Sequence, residues 1–251
     1  MCGMSVPAVE QDGRIQSAKG VGGVRGAGSA DAGRRAAERA IASGRGFTYF
    51  GDMGQRVEAE AWRDPDTVGL ARGLLGRWLC VCSRDGTVQR RRITETEAYH
   101  GPDDQASHAS RGRTPRNAVM FGPGGVWYVY LCYGMHEMLN LVTGPEEWPA
   151  AVLIRGVEGW SGPGRVTRAL GIDRSLTGRG LTRRASGGVA AWIEEGEEPW
   201  PVPRDEIVAG PRIGVAYAGP EWAAKPWRFR WMTRWDPPRS RRESPIRSVA
   251  D

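Results

Sequence analysis

Two glutamates separated by one residue are the clearest candidates for acid–base chemistry in the sequence. In the strand-like segment 93–99 (ITETEAY), alternation places Glu95 and Glu97 on the same face as Ile93 and Tyr99. The apolar ends of this set indicate that the face is partly buried, where an unpaired carboxylate is costly. One of the two carboxylates is therefore a candidate general base that activates water.

The same spacing allows two other interpretations. A glycosidase-type dyad needs carboxylates on opposite sides of a sugar, and positions i and i+2 of one strand do not provide that. We therefore expect one general base rather than a pair. The alternative without chemistry is a solvated strand face whose glutamates form salt bridges with Arg90, Arg91 or Arg92.

Arginine-rich segments supply candidate contacts for a polyanion. The segment 107–117 (SHASRGRTPRN) contains His108 and three arginines among small polar residues, which suits a phosphate backbone. These arginines are Arg111, Arg113 and Arg116. The alternative is a solvated loop with a histidine of no special role. A second segment, 161–184, has six arginines against one acid, and its Gly-rich turn precedes a predicted helix with free N–H groups.

An aromatic strand precedes a possible protruding tip. Alternation within 126–133 (VWYVYLCY) puts Tyr128 and Tyr130 on one face, and such residues usually belong to the core. Tyr133 and Met135 come at the end of the strand. Exposed side chains of these types can wedge between base pairs.

The composition excludes several classes of protein. The 251 residues, 40% hydrophobic and 25% charged, fit one substantial globular domain, and no apolar run reaches the length of a membrane span. Of 35 basic residues only Lys19 and Lys225 are lysines, so we do not expect covalent catalysis through a Schiff base. Three histidines and four cysteines without C-x-x-C spacing do not fit a closed zinc site. The N-terminus has no secretory signal, so we expect reduced cysteines and a cytoplasmic protein, nucleoid-associated if bacterial.

The folded part is expected at 48–235. Residues 1–47 are rich in Gly, Ala, Ser and Arg and are predicted to be disordered, as is the polar tail 236–251. Translation that starts near Met53 would leave the first tail out. The net charge of +6 is carried mostly by these two tails.

The predicted elements indicate an α+β protein, a single mixed domain around a curved, largely antiparallel β-sheet with flanking helices. Asp66 is the expected N-cap of a helix that Gly76 ends, and Asp85-Gly86 is the expected hairpin turn between the first two strands. A second helix is predicted over 163–171. The strands are expected at 78–82, up to about 99, 126–133, 150–157, 189–193 and 211–217. No βαβ regularity is present, which favours the antiparallel arrangement.

Over 50–231 these motifs, in this order, resemble the alkyladenine (3-methyladenine, or methylpurine) DNA glycosylase family. The elements that carry the resemblance are E-T-E-A-Y at 95–99, Y-V-Y-x-x-Y-G-M at 128–135 and G-P-G-R at 162–165. It implies a mixed α/β domain that needs no metal or cofactor. Two positions depart from the family pattern: His136 stands where an aromatic residue is frequent, and Arg165 stands where lysine is common.

The resemblance also implies a role for each matching residue. Glu97 would be the general base, with Arg155 and the backbone around Val215 holding the attacking water. The base pocket would consist of Tyr99, His108 and Tyr130, with Asn140 rejecting normal guanine through its 2-amino group. The DNA wedge would consist of Tyr133 and Met135. The DNA backbone would contact Gly162, Gly164 and Arg165, in addition to the arginines of 111–116.

The function that the resemblance implies is that of a monofunctional DNA glycosylase in base excision repair. The resemblance implies a monomer that flips alkylated or deaminated purines (3-methyladenine, 7-methylguanine, hypoxanthine) out of double-stranded DNA and hydrolyses the glycosidic bond. One alternative is a non-catalytic damaged-DNA-binding protein on the same scaffold. Another is a hydrolase of free nucleosides, for which a wedge and Arg-rich loops have no use.

Overall fold

The computed structural model describes residues 55–183, 188–197 and 200–232. The predicted tails 1–47 and 236–251 lie outside these ranges. The described residues form nine β-strands: β1 (Trp78–Cys82), β2 (Val88–Tyr99), β3 (Trp127–Cys132), β4 (His136–Thr143), β5 (Ala150–Val157), β6 (Trp160–Ser161), β7 (Ala190–Glu194), β8 (Ile207–Gly210) and β9 (Arg228–Trp231). They also form three helices: α1 (Thr67–Gly73), α2 (Pro163–Leu170) and α3 (Gly219–Ala224).

All nine strands join one antiparallel sheet, which confirms the predicted α+β class. The strand order is β3-β4-β5-β2-β1-β7, with β6 paired to β5 and β8 paired to β9. The long strand β2 organises the sheet, because it pairs with β1 in its first half and with β5 in its second. The last strand, β9, also pairs with β2, along Glu95–Glu97. The candidate carboxylates thus lie on a strand held by two neighbours.

A register shift on β2 places Ile93 and the two glutamates on different faces of the sheet. Between Ile93 and Thr96 the pairing with β5 is irregular, so that Arg155 has no direct cross-strand partner. Ile93 packs in the main hydrophobic core with Ala98, so the prediction that it shares a face with the glutamates is wrong. A bulge interrupts the period of two on which that prediction relied.

Most predicted elements are confirmed near their expected bounds. Asp66 caps α1 by accepting a hydrogen bond of 2.8 Å from the backbone N–H of Gly69. Strands 78–82 and 150–157 match β1 and β5. The Asp85-Gly86 turn joins β1 to β2, with Gly86 at a φ of +84° that suits glycine.

Two elements differ from the sequence prediction. The strand expected at 211–217 is a loop that ends in a 3-10 turn at Ala216–Ala218, because Pro211 lacks an N–H and Ile213 donates its own to a side chain. The strand β4 was not predicted. Its inner residues are buried without alternation, since neighbours cover both of its faces, and its first residues are polar.

Two clusters of buried side chains hold the sheet. The larger one includes Trp62, Trp127 and Trp192 and extends under most of the strands. The smaller one lies behind β3, β4 and β5 and contains Met120, Tyr128 and Val142. None of the helices in the described ranges combines the length and apolarity that crossing a membrane requires.

Candidate active site

Glu97 lies fully buried at the centre of a set of hydrogen-bond donors. Its side chain is 0% exposed. One oxygen accepts a hydrogen bond of 2.8 Å from the backbone N–H of Ile213, and the other accepts one of 3.0 Å from the Tyr99 hydroxyl. Arg155 Nε lies 3.4 Å from the first oxygen. These donors favour the carboxylate form and fix its orientation.

The bulge explains how Arg155 reaches both glutamates. Its Nε is 3.4 Å from Glu95 as well as from Glu97, and Arg228 lies 3.2 Å from Glu95 on the other side. Glu95 therefore pairs with arginines of β5 and β9. The alternative of salt bridges to Arg90–Arg92 is wrong, since Glu95 pairs with Arg155 and Arg228, and Arg90 and Arg92 pair with glutamates of the 194–197 segment.

Burial changes the pKa values of Glu97 and Tyr99. Burial raises the pKa of Glu97 above its usual value, although Arg155, the Ile213 N–H and Tyr99 act in the opposite direction. Burial, together with the charge of Glu97, raises the pKa of Tyr99 well above its usual value. Glu97 is thus a carboxylate with increased basicity next to a neutral phenol, which suits a general base.

A pocket lined by Tyr99, the hydrogen-bond partner of Glu97, brings the three predicted base-pocket aromatics together. Its walls include Tyr99, His108 and Tyr130, with Tyr128 behind them. The rings of His108 and Tyr130 meet edge to face with centroids 4.4 Å apart, and the Tyr128 and Tyr130 centroids are 5.4 Å apart. The space is a small, open cleft with many aromatic side chains in its lining.

Asn140 lies at the floor of this pocket. It is 4% exposed and faces the pocket from β4. Its Nδ2 donates hydrogen bonds of 3.1 Å to the carbonyls of Tyr128 and Met138. Because both Nδ2 hydrogens are engaged, Oδ1 is the atom available to a ligand.

Tyr217 is a pocket residue that the sequence reasoning missed. It follows the buried Val215 on the 3-10 turn and contributes to the pocket wall. Its ring is 68% exposed, and its hydroxyl donates a hydrogen bond of 2.9 Å to the carbonyl of Ala106 across the mouth. The available signal was an aromatic residue within the IGVAYAG motif near Val215.

The predicted wedge residues form the most exposed apolar tip of the described chain. Tyr133 is 87% exposed and Met135 69% exposed, on the turn between β3 and β4. Tyr133 has a φ of +50° and Gly134 one of +69°. A tyrosine in the left-handed region is uncommon and carries strain. The turn thus directs a large aromatic ring away from the protein.

The predicted DNA-backbone turn is packed tightly against the sheet. Gly162 has a φ of +100° and begins α2, while its N–H donates to the Arg155 carbonyl at 2.9 Å. A side chain on Gly164 would come within 2.9 Å of the His136 ring, so glycine is needed there. Arg165, in the first turn of the helix, is exposed.

Comparison with known proteins identifies the family of this chain. The model of the family described as "Methylpurine-DNA glycosylase (MPG)" matches residues 61–161 and 159–234. The chain belongs to the methylpurine-DNA glycosylase family. Three relatives carry the name "Putative 3-methyladenine DNA glycosylase": that of Anaeromyxobacter dehalogenans (strain 2CP-C) is 49% identical over 189 residues, 70% of this chain and 86% of the relative. Those of Myxococcus xanthus and Methanocella arvoryzae are 46% and 45% identical, over 65% and 66% of this chain and 83% and 88% of their own.

The family assignment confirms the predicted enzyme class and DNA as its substrate. Within the ranges that the structure describes, no group of three or more His, Cys, Asp or Glu side chains is placed to hold a metal ion. Lys225, the lysine of the described glycosylase fold, forms an ion pair with Glu221 at 3.2 Å and stacks on Trp222.

The three loop arginines of the glycosylase are not equivalent. Arg113 pairs with Glu147 at 2.5 Å and lies over the Phe121 ring. Arg116 donates to the Leu131 carbonyl and lies 5.4 Å from the centroid of the Tyr130 ring, next to the base pocket. Arg111 is exposed. Of the three, Arg111 is therefore the most available for a phosphate contact.

Proposed function

We propose that this methylpurine-DNA glycosylase flips a damaged purine out of duplex DNA and releases it by attack of water that Glu97 activates. The observation that carries the proposal is the buried Glu97, held by Arg155 and the Ile213 N–H beside an aromatic pocket. A carboxylate in this setting has the raised basicity of a general base. The aromatic cleft that Tyr99 lines next to it suits a flat base.

For a cationic methylated purine the reaction balances with these groups alone, and a neutral purine such as hypoxanthine takes up a proton from solvent as it leaves. Water oxygen bonds to the anomeric carbon as the glycosidic bond breaks, and the electron pair of that bond leaves with the purine nitrogen. The water proton passes to Glu97. The same carboxylate, before it is protonated, stabilises the positive charge that develops on the sugar, and Arg155 with the backbone near Val215 holds the water.

The charge of the pocket favours an alkylated purine. Burial raises the pKa of Tyr99, Tyr128 and Tyr130, so their rings stay neutral and electron-rich. Burial and the charge of Arg116 lower the pKa of His108 below its usual value, so it is a neutral ring at pH 7. A purine methylated at N3 or N7 is cationic, and stacking on such rings gains about 0.5–2 kcal/mol.

The exposed tip supports duplex DNA as the substrate. Extruding a nucleotide leaves a gap in the stack and costs a few kcal/mol, least at damaged pairs. Tyr133 is exposed and fixed on a tight turn, so it fills this gap, with Met135 beside it. One chain supplies both the base pocket and the wedge, so a monomer is sufficient for this reaction. Neutral deaminated purines such as hypoxanthine, and 7-methylguanine, complete the proposed substrate class. Asn140 disfavours the 2-amino group of guanine, and in 7-methylguanine the attraction of its positive charge to the aromatic rings offsets this effect.

The protein acts without strand cleavage in this proposal. Cleavage after base loss requires an amine nucleophile. Lys225 is occupied by Glu221 and by two tryptophan rings. The product is therefore an intact strand with an abasic site.

The decisive experiment uses duplex oligonucleotides that carry hypoxanthine or a methylated purine. The protein is incubated with each duplex, and alkali then reveals abasic sites as breaks. We expect breaks only after alkali, and only in damaged duplexes. If binding occurs but no damaged duplex becomes alkali-labile, the protein is the non-catalytic binder instead. Release of base from free nucleosides at a comparable rate would favour the nucleoside hydrolase.

A further inference from the structure

A second buried ion pair lies directly behind the site. The guanidinium of Arg212 binds both carboxylate oxygens of Asp104, at 2.5 and 2.8 Å, and both side chains are 0% exposed. A bidentate pair of this kind combines charge with fixed geometry. Its partners are separated by more than a hundred residues in the chain, so it joins two distant loops.

The pair connects four parts of the molecule. Arg212 also donates to the carbonyl of Ala98 on β2, at 2.9 Å, and to that of Trp222 on α3, at 3.3 Å. Asp104 accepts the backbone N–H groups of His100 and Ala106, which shapes the loop that carries Ser107 and His108. Asp104 therefore fixes the backbone of its own loop, and Arg212 ties its loop to β2 and α3.

Both loops carry parts of the proposed chemistry. The residue after Arg212 is Ile213, whose N–H binds Glu97. The Arg212 guanidinium carbon lies 4.9 Å from the centroid of the Tyr99 ring, whose hydroxyl also binds Glu97. The loop of Asp104 forms the wall of the base pocket.

We propose that Asp104 and Arg212 are positioning residues for base excision, because their ion pair holds the Ile213 N–H and the Tyr99 ring against Glu97. This inference rests on the proposed role of Glu97 as general base. Arginine is required, because lysine offers no planar fork and cannot bind two carboxylate oxygens and two carbonyls in this geometry.

The electrostatics of Glu97 give this role a specific signature. The groups that face its carboxylate are Arg155 from β5, Tyr99 and Glu95 from β2, and the Ile213 N–H from the loop. Arg228 from β9 faces Glu95. When the Arg212 anchor is lost, the Ile213 N–H leaves the carboxylate, so the anion is less stable and the pKa of Glu97 rises.

A general base works only when it is ionised, so the sign of the effect is fixed. Activity increases with pH as Glu97 loses its proton. A higher pKa therefore moves the acid limb of the rate profile to higher pH. Since a hydrogen bond to a charged group corresponds to roughly one pKa unit, we expect a displacement of about one pH unit.

A matched pair elsewhere in the sheet provides the control. Arg90 and Glu194 are 8% and 1% exposed and lie 3.0 Å apart; Glu194 also binds Trp192 on the outer strand β7, and both residues have their strand partners on β1. R90K therefore disturbs another buried arginine–carboxylate contact, although a single one rather than a bidentate pair, on the half of β2 that pairs with β1.

The experiment measures single-turnover excision from a hypoxanthine duplex between pH 4.5 and 8. The variants are R212K, D104N, R90K and E97Q, each at a temperature at which circular dichroism shows it folded. We expect the acid limb to move up by about one pH unit in R212K and D104N and to stay in place in R90K. Duplex binding should change little in all of them.

The outcomes separate this inference from the proposed function. If E97Q is inactive while R212K and D104N keep the wild-type limb, the pair is only structural and the inference is refuted. The same holds if R90K shifts the limb equally. If E97Q retains excision, Glu97 is not the general base, and the proposed function fails first.

Discussion

Replacing Glu97 by Gln separates the catalytic role of this side chain from its effect on stability. The substitution keeps the volume of a side chain that is 0% exposed, and Gln still accepts a hydrogen bond from Ile213. Arg155 keeps Glu95 as a partner at 3.4 Å, so no cation is left unpaired. The variant should fold and bind damaged DNA. Excision should fall by about 10²- to 10⁴-fold, the contribution of a general base.

The same variant should be more stable than the wild type at neutral pH. Burial raises the pKa of Glu97, which means that folding disfavours its ionised form relative to water. Each unit of such a shift corresponds to about 1.4 kcal/mol. About 1 kcal/mol moves the unfolding midpoint of a domain of this size by about 2–4 °C, so we expect a measurable rise of the midpoint.

The pH dependence of this gain follows from linkage. For an acid whose pKa is raised on folding, the folded state binds the extra proton between the unfolded and the folded pKa, so stability decreases as pH increases through that range. The penalty is complete above the folded pKa. It is absent below about pH 4, where both states are protonated. The advantage of E97Q should therefore be largest at neutral pH and disappear in acid.

The assay combines thermal unfolding at several pH values with single-turnover excision. E194Q is the control, since Glu194 is equally buried but pairs with Arg90 and Arg183 at the other end of the sheet. Breaking a buried pair destabilises, so E194Q should unfold at a lower temperature and retain its excision rate. An E97Q variant that is less stable at pH 7, or that excises normally, would refute the reasoning.

Three further predictions concern binding and packing. Y133S should weaken binding to damaged duplex about tenfold or more, but binding to a damaged single strand much less, in a fluorescence titration; equal losses would discount the wedge. Y217A should raise the KM for damaged duplex about fivefold, while Y217F, which loses only the bond to Ala106, should stay close to wild type; a full effect in Y217F would assign the role to the hydroxyl. G164A should lower thermal stability by about 1 kcal/mol or more, because the new methyl group meets His136; an unchanged midpoint would show that the contact relaxes without cost.

The fold could be predicted where local signals agreed with the final packing. The Asp66 cap, the Asp85-Gly86 turn and the apolar run 150–157 are each recognisable from a short stretch of sequence. The errors occurred where long-range contacts decided the structure. Strand β4 lacks a period of two because neighbours cover both of its faces, and segment 211–217 directs a backbone N–H to Glu97 instead of to a strand.

The candidate site could be predicted as a set of side chains but not as an arrangement. The sequence placed Glu97 and Tyr99 on one face, and the structure joins them by a hydrogen bond of 3.0 Å. It did not predict that a bulge turns Arg155 towards both glutamates, since a bulge arises from pairing between strands. Asp104 and Arg212 carried no signal, because a buried pair between distant loops is visible only once the chain is folded.

The arginines show why counting charges in a segment overestimates contacts with DNA. The basic segments 111–116 and 161–184 suggested a broad phosphate-binding surface, yet several of their arginines are neutralised within the protein. Arg113 pairs with Glu147 and Arg174 with Glu137. A paired guanidinium has to exchange its carboxylate for a phosphate, so it adds little net attraction. We therefore expect the affinity for DNA to depend on the exposed, unpaired arginines such as Arg111 and on the aromatic tip at Tyr133 rather than on the total charge of these segments.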